Sequence, residues 1–186
     1  MPGGTDEPVQ IAIVHLAGAA ISEGLCSYVK AESEVTWAAR KVHGITDSMI
    51  KDAPRFLDLW PRIKSDMEGC WIVAHGAATE KRFLRVFPFH SFGPWVDTLH
   101  LARAVYPDLS SHSLGEVIKA LGLESAAEIQ TAGFRWHDAR CDATASLVLL
   151  RHVISVCRLE DADPEVLRAA GLRHYFKSRN DKLRKA

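Results

Sequence analysis

The chain has 186 residues, 47% of them hydrophobic and 25% charged, with a formal net charge of zero. That length makes one domain with a real core, and the neutral balance supplies no global field to draw in nucleic acid or a membrane, so an anionic partner must be held by a local patch. No apolar stretch approaches a membrane span, Met1-Pro2-Gly3-Gly4 is no signal peptide, and Cys26, Cys70, Cys141 and Cys157 lack C-x-x-C spacing, which reads as reduced thiols in a cytoplasmic protein.

Residues 1–8 read as a polar, turn-rich leader, disordered or a loop. Residues 9–16 (VQIAIVHL) are β-branched and apolar and predict a buried strand. Gly18 breaks it, and 21–29 predict the second strand of a hairpin. A short helix at 37–42 precedes a single turn through Ile50, with Thr46 or Asp47 as its N-cap. Pro54 suits a helical first turn, and Phe56, Leu57, Trp60, Ile63 and Met67 recur at helical spacing until Gly69.

A buried strand at 70–73 turns at His75-Gly76-Ala77 into a run whose Ala77, Phe83 and Leu84 fit one helical face. Glu80 lies one helical turn in and points back toward the turn. A carboxylate just past the carboxyl end of a strand can reach a metal or a phosphate-bearing ligand. A Pro/Phe/Gly-rich loop leads to a short strand at 95–97. Helices follow at 98–106, closed by Pro107, and at 114–121, capped by Ser111-His112-Ser113 and ended by Gly122. Residues 126–134 read as an irregular loop. His137 stands ahead of a long helix, 139–159, with Ala143, Leu147, Leu150 and Ile154 on its apolar stripe. From Glu165 the tail predicts a helix that turns basic, and Arg173, Lys177 and Arg184 share one helical face. Early strands followed by strands alternating with helices predict an α/β layered domain with a mixed sheet. The division is a leader at 1–8, a domain at 9–160 and a basic helical tail at 161–186.

Three segments stand in a specific order: Lys41-Val42-His43-Gly44-Ile45-Thr46, then Val73-Ala74-His75-Gly76-Ala77 with Glu80 and Phe83-Leu84, then His137-x4-Asp142-Ala143. With Val96-Asp97-Thr98-Leu99 and Ser111-His112-Ser113-Leu114 between them, the chain from Val9 to Val156 resembles the DnaQ-like 3′–5′ exonucleases of the His-type DEDD class. That family includes the proofreading subunit of bacterial DNA polymerase III. The resemblance implies a ribonuclease H-like three-layer fold around a central mixed sheet. It also implies two Mg²⁺ or Mn²⁺ ions flanking a scissile phosphate, one activating a water and one steadying the leaving oxygen. Such hard ions want carboxylate oxygens, and a nearby histidine can take the water's proton at neutral pH.

By the family's pattern Glu80 and Asp142 are metal carboxylates and His137 is the general base. His75 and Gly76 lie where nucleic acid binds; independently of the family, Arg173, Lys177 and Arg184 on the basic tail read either as phosphate-binding or as a solvated charged end. Asp97 is read as structural, or as a residue behind the metal carboxylates. The implied partner is a nucleic-acid 3′ end, DNA or RNA, with a DNA polymerase or another replication or repair protein as a further partner and no membrane.

The departures are specific. The family's first motif, an Asp-x-Glu on its first and central strand, is missing ahead of Val9. Asp6-Glu7 is adjacent rather than alternate, so on a strand the two carboxylates point to opposite faces. Gly76 replaces the usual Asn, Thr79 the usual Phe and Glu80 the usual Asp, which shifts the carboxylate by roughly 1.5 Å. Loss of a central strand exposes two edges. Three arrangements are open: a true start upstream of Met1, which the maintained motifs favour; direct pairing of the Val9 strand with the Cys70 strand; or a partner strand in the gap. The expectation is an exonuclease domain impaired as it stands. Its alternative is a non-catalytic nucleic-acid-binding or scaffold domain on the same fold.

Overall fold

A computed structural model describes residues 6–18, 20–87, 89–126, 129, 133–168 and 172. Strands β1 (Gln10–Ala17) and β2 (Ala20–Tyr28) form an antiparallel hairpin, in register from Gln10 opposite Tyr28 to Ala17 opposite Ala20, with a bulge between Ala12 and Val14. Helix α1 (Trp37–His43) starts on the Thr36 hydroxyl, which accepts from the Ala39 N–H, and stops at Gly44 in the left-handed region. Helix α2 (Asp47–Ile50) follows at once.

The periodic run around Trp60 is not one helix. Residues Phe56–Leu59 close a 3-10 turn, and α3 (Trp60–Met67) begins only afterwards, with Pro61 in its first turn. Proline has no N–H to give the carbonyl four residues back, so the segment ahead of Pro61 is denied an α-helical bond and takes the tighter winding. Pro54 therefore lies outside the helix: its carbonyl accepts from the Lys30 N–H, and Lys30 bridges to Arg55.

Strand β3 (Ile72–Ala74) runs parallel to β4 (Trp95–Asp97), and the crossover between them carries α4 (Ala78–Leu84). The strand begins two residues later than expected, and Cys70 and Trp71 are exposed. Helices α5 (Thr98–Val105), α6 (Leu114–Ala120) and α7 (Ala139–Cys157) complete the order. A 3-10 turn at Leu123–Ser125 was not anticipated from the sequence.

The strands sit between two helical layers. On one side α5, α6 and α7 bury Leu101, Ile118 and Leu149 completely, and Val14, Leu16, Val73 and Val96 pack onto this cluster. On the other side Ile63 and Met67 of α3 and Leu84 of α4 meet Ile11, Ile13 and Ile72. Truncating a fully buried leucine such as Leu101 to alanine costs about 2–5 kcal/mol, because the cavity relaxes only in part. Beyond α7, Leu172 is fully buried in the α7 cluster.

The layered fold is the one the resemblance implies, but the sheet is split. Strand β1 pairs with β2 and β3 pairs with β4, and neither pair joins the other. Direct pairing of β1 with β3 is thus not how the molecule closes. The expectation of a buried first strand is corrected for the same reason: every residue from Gln10 to Leu16 is only half-buried. Apolar side chains on both faces of β1 have helices above and below, but among the described residues the strand has one hydrogen-bonded neighbour instead of two.

Candidate active site

The site is assembled where β3 and β4 end. Ala74 and Asp97 are register partners on the two strands. The Asp97 carboxylate accepts from the Gly76 N–H (2.9 Å), the Ala77 N–H (3.0 Å) and the Leu99 N–H (3.0 Å), so one side chain shapes the β3–α4 turn and caps α5. Burial pulls its carboxyl upward, but these backbone donors, helped by His100, outweigh it and hold the group below the usual carboxylate range. Gly76 has φ +83°, and a Cβ there would meet nothing closer than 3.7 Å. The left-handed backbone, not crowding, is what selects glycine.

His75 is engaged at both ring nitrogens: Nε2 donates to the His112 carbonyl at 2.8 Å, and Nδ1 lies 3.0 Å from the Thr98 hydroxyl. A carbonyl can only accept, so the proton of the neutral ring sits on Nε2, and Nδ1 shares the Thr98 hydroxyl with the Ala74 carbonyl, 3.3 Å from that oxygen. Both ring nitrogens are engaged within the fold, so the side chain of His75 ties the β3–α4 turn to the segment ahead of α6.

Glu80 lies in the first turn of α4 and lines the cleft between β1 and β3. It is open to water, yet the concave wall around it is dense enough that burial pushes its carboxyl up. Its own backbone N–H pulls the other way, and the Asp97 charge adds to the rise. Across the cleft, α7 starts at Asp138, whose carboxylate accepts from the Arg140 and Cys141 N–H groups. The side-chain amide of Gln10 on β1 completes this cap: its Nε2 donates to Asp138 at 2.8 Å, and its Oε1 accepts from the Ala139 N–H at 3.0 Å.

That cap presents His137 to solvent with φ +65°, a left-handed value uncommon outside glycine. The His137 N–H donates to Asp142 at 3.3 Å. Burial pushes the Asp142 carboxyl up, against the pull of His137 and with a further push from Asp138.

Glu80, His137 and Asp142 thus line one cleft, of about 1700 Å³, together with His75. His43 lines it too, and was not singled out from the sequence. Its carbonyl accepts from Arg135 at 3.2 Å, and burial, followed by the charges of Arg135 and His137, holds its ring below the usual histidine range. The signal was the Lys41–Thr46 motif, whose histidine was used only for recognition. Asp6 pairs with Arg82 at 2.8 Å, and Glu7 accepts from the Glu32 N–H and the Ser33 hydroxyl, so both leader acids are held by other groups. Arg173, Lys177 and Arg184 lie outside the described residues.

Carboxylate oxygens are the right donors for Mg²⁺ or Mn²⁺. Their number is short: among the described residues no three His, Cys, Asp or Glu side chains come together as a metal cage. A two-metal centre is therefore matched in kind and not in count.

The exonuclease family model, RNase_T, matches residues 2–150. The PolC-type DNA polymerase III of Thermotoga maritima is 31% identical over 154 residues, which cover 80% of this chain and 11% of that polymerase. Exodeoxyribonuclease 10 of Escherichia coli K12 is 27% identical over 148 residues, covering 79% of this chain and 62% of that enzyme. The chain therefore spans a small part of the polymerases it matches and less than two thirds of the exodeoxyribonuclease. A solved structure of Exonuclease X in complex with 5′ overhanging duplex DNA superposes with a TM-score of 0.66 at 27% identity, over 80% of this chain and 82% of the other. The family match over most of the chain, the layered fold and the cleft agree: this chain belongs to the DnaQ-like exonuclease family, with a ribonuclease H-like fold.

Proposed function

We propose that the domain is a divalent-metal-dependent 3′–5′ exonuclease acting on DNA or RNA ends, with weak activity on its own. The observation that carries this reading is that Glu80 on α4 and the neighbouring pair His137 and Asp142 at the start of α7, remote from it in sequence, line one cleft. Two bound ions would supply a polarised phosphate and an acidified water. The chain's own part is narrower. His137, exposed and presented by the Asp138–Gln10 cap, takes a proton from water. Asp142 steadies the loop through the His137 N–H while offering an oxygen to a cation. Glu80 offers a second oxygen from the facing wall. With only these two carboxylates at family metal positions, ions bind loosely and turnover is slow.

Further parts of the proposal rest on the sequence and the relatives. The tail residues Arg173, Lys177 and Arg184 hold phosphates, a polymerase or a repair protein is the working partner, and the protein acts in the cytoplasm. No described helix is long and apolar enough to cross a membrane.

The missing metal cage among the described residues favours one second reading, a nucleic-acid-binding or scaffold domain without catalysis. The deciding experiment is release of the 3′ nucleotide from an end-labelled single strand in Mn²⁺, beside binding of the same strand. Slow release that disappears in His137→Ala and Asp142→Asn while binding persists supports the enzyme. Binding with no release in wild type supports the second reading. Release that survives both substitutions sinks the assignment of these residues.

A further inference from the structure

We propose that Arg135 and His43 form a phosphate subsite at the rim of the cleft, which holds the substrate strand by the phosphate next to the one being cut. The inference rests on the nuclease reading for the place of the cut, and adds to it a grip on the part of the strand that stays outside.

Arg135 is exposed, yet it is held in place. Its backbone N–H donates to the Cys141 sulfur at 3.2 Å, and its carbonyl accepts from the Asp138 N–H at 3.2 Å. Its guanidinium crosses 92 positions of sequence to donate from Nη2 to the His43 carbonyl at 3.2 Å. Gly44 lets the fork lie close: the backbone there has φ +71°, and a Cβ in that position would stand 3.2 Å from Nη1. Ordering a long cationic side chain costs rotamer entropy when a ligand binds, and here the fold has ordered it beforehand.

The charge so placed has no counter-ion. Of the two arginines on either side of His137, Arg140 pairs with Glu23 at 3.7 Å, whereas Arg135 meets no carboxylate among the described residues. His43 supplies a second donor. Its Nδ1 accepts from the Ile45 N–H at 3.0 Å, and a backbone N–H can only donate, so the ring proton sits on Nε2. That N–H has no acceptor among the described residues, and His43 lines the cleft together with His137. A guanidinium fork without a carboxylate, beside a free imidazole N–H, describes a site for an oxyanion. A phosphodiester offers two oxygens that such a fork can hold at once.

The place of the subsite selects the phosphate. His137 acts on the scissile phosphate inside the cleft, and the terminal nucleotide beyond the cut carries no other. The rest of the strand leaves past the rim, where Arg135 stands two residues ahead of His137. The phosphate that meets Arg135 is therefore the next one on the 5′ side. Glu80 and Asp142 line the cleft itself, so carboxylates inside face the ions and cationic donors at the rim face the strand.

The test is a binding titration in chelator, where no cut is made, of the full chain with a short single strand of DNA. In a set of such strands one phosphodiester at a time is replaced by the neutral methylphosphonate. We expect replacement at the second linkage from the 3′ end to weaken binding by about tenfold, the scale of one charged hydrogen bond. Arg135→Gln should lose a similar factor on the unmodified strand and show no further loss on the strand modified there. Arg135→Lys, which keeps the charge, should recover part of the affinity. Melting curves establish that both variants fold, and the scan of the wild-type chain stands without them. No penalty at the second linkage overturns the proposal. So does a penalty that persists in folded Arg135→Gln, or a wild-type chain that binds none of the strands. Failure of the nuclease reading looks different: the strand binds with the expected penalty, and no 3′ nucleotide is released in Mn²⁺.

Discussion

The amide of Gln10 grips Asp138 across 128 positions of sequence, donating to the carboxylate at 2.8 Å while accepting from the Ala139 N–H. Strand β1 thereby holds the start of α7, and with it the backbone that presents His137. Two part-buried hydrogen bonds, one to a charge, are worth about 2–3 kcal/mol together. Gln10→Ala is expected to lower Tm by about 4–12 °C at the roughly 2–4 °C per kcal/mol of a domain this size. Exchange at the first amides of α7 should accelerate. Gln10→Glu should not rescue, because it sets a second carboxylate against Asp138. Calorimetry and exchange on the two variants check this, and an unchanged Tm in Gln10→Ala would show the clamp to be incidental.

Gly76 tests the turn. Its φ of +83° costs any other L-residue about 1–2 kcal/mol, with asparagine the mildest. With no heavy atom nearer than 3.7 Å to an added Cβ, the backbone term stands alone. Gly76→Ala should lower Tm by about 2–8 °C, and Gly76→Asn by less. The order of the two melting temperatures is the measurement.

The two cleft carboxylates should weaken the fold at neutral pH. Burial raises both Glu80 and Asp142, so each takes up a proton more readily when folded than when unfolded. The stability they contribute is present below the unfolded carboxyl pKa and is lost as pH rises through the higher folded value. Glu80→Gln and Asp142→Asn should therefore raise Tm slightly at neutral pH in chelator. Added Mn²⁺ should raise the wild-type Tm and leave the amide variants behind. Amide variants that melt below wild type in chelator would refute this.

His75 moves with the opposite sign. Burial holds its ring below the ordinary histidine range, ahead of the opposing pull of the His112 carbonyl and Asp97. The unfolded chain then binds the proton first, and stability falls as pH drops through about 6.5. Nitrogen chemical shifts should show His75 still neutral, protonated at Nε2 alone, at a pH where a solvent-exposed histidine is half charged. Titration of His75 together with the exposed rings would remove this cause of acid sensitivity.

The tail must be tested with a cut that respects Leu172, which is fully buried against the α7 layer. A chain ending there loses six cationic residues and keeps the core. If the tail binds phosphates, its removal should lower affinity for single-stranded nucleic acid and flatten the dependence of log K on log salt by up to about 0.7 per lost contact. Equal affinities and equal slopes would make it a solvated end.

Local chemistry was legible where it acts over a few residues. The hairpin, the strand Trp95–Asp97 and the start of α7 at Ala139 are where pattern, capping residue and proline place them. The failures are longer in range. Pro61 split a run that periodicity made continuous, because periodicity registers side chains and not a missing N–H. Apolar residues on both faces of β1 predicted burial, but burial also needs a neighbour on each edge, which no property of 9–16 contains. At the site, Glu80, His137 and Asp142 were singled out by the resemblance and all line the cleft, while the Gln10 clamp and the position of His43 came only from the folded chain.

One consequence concerns the order in which the protein is made. Helix α7 is the last long element among the described residues, yet it packs against β1, β2 and β3, and its first turn is capped from Gln10. Synthesis runs from the amino end, so the strands emerge well before the surface that covers them. Until about residue 157 has cleared the ribosome, the hairpin keeps one apolar face wet and open to the wrong partners. Contacts closing over such distances are slow to form. A nascent chain arrested short of Ala139 should bind a chaperone at that face, and one arrested beyond Leu172 should release it.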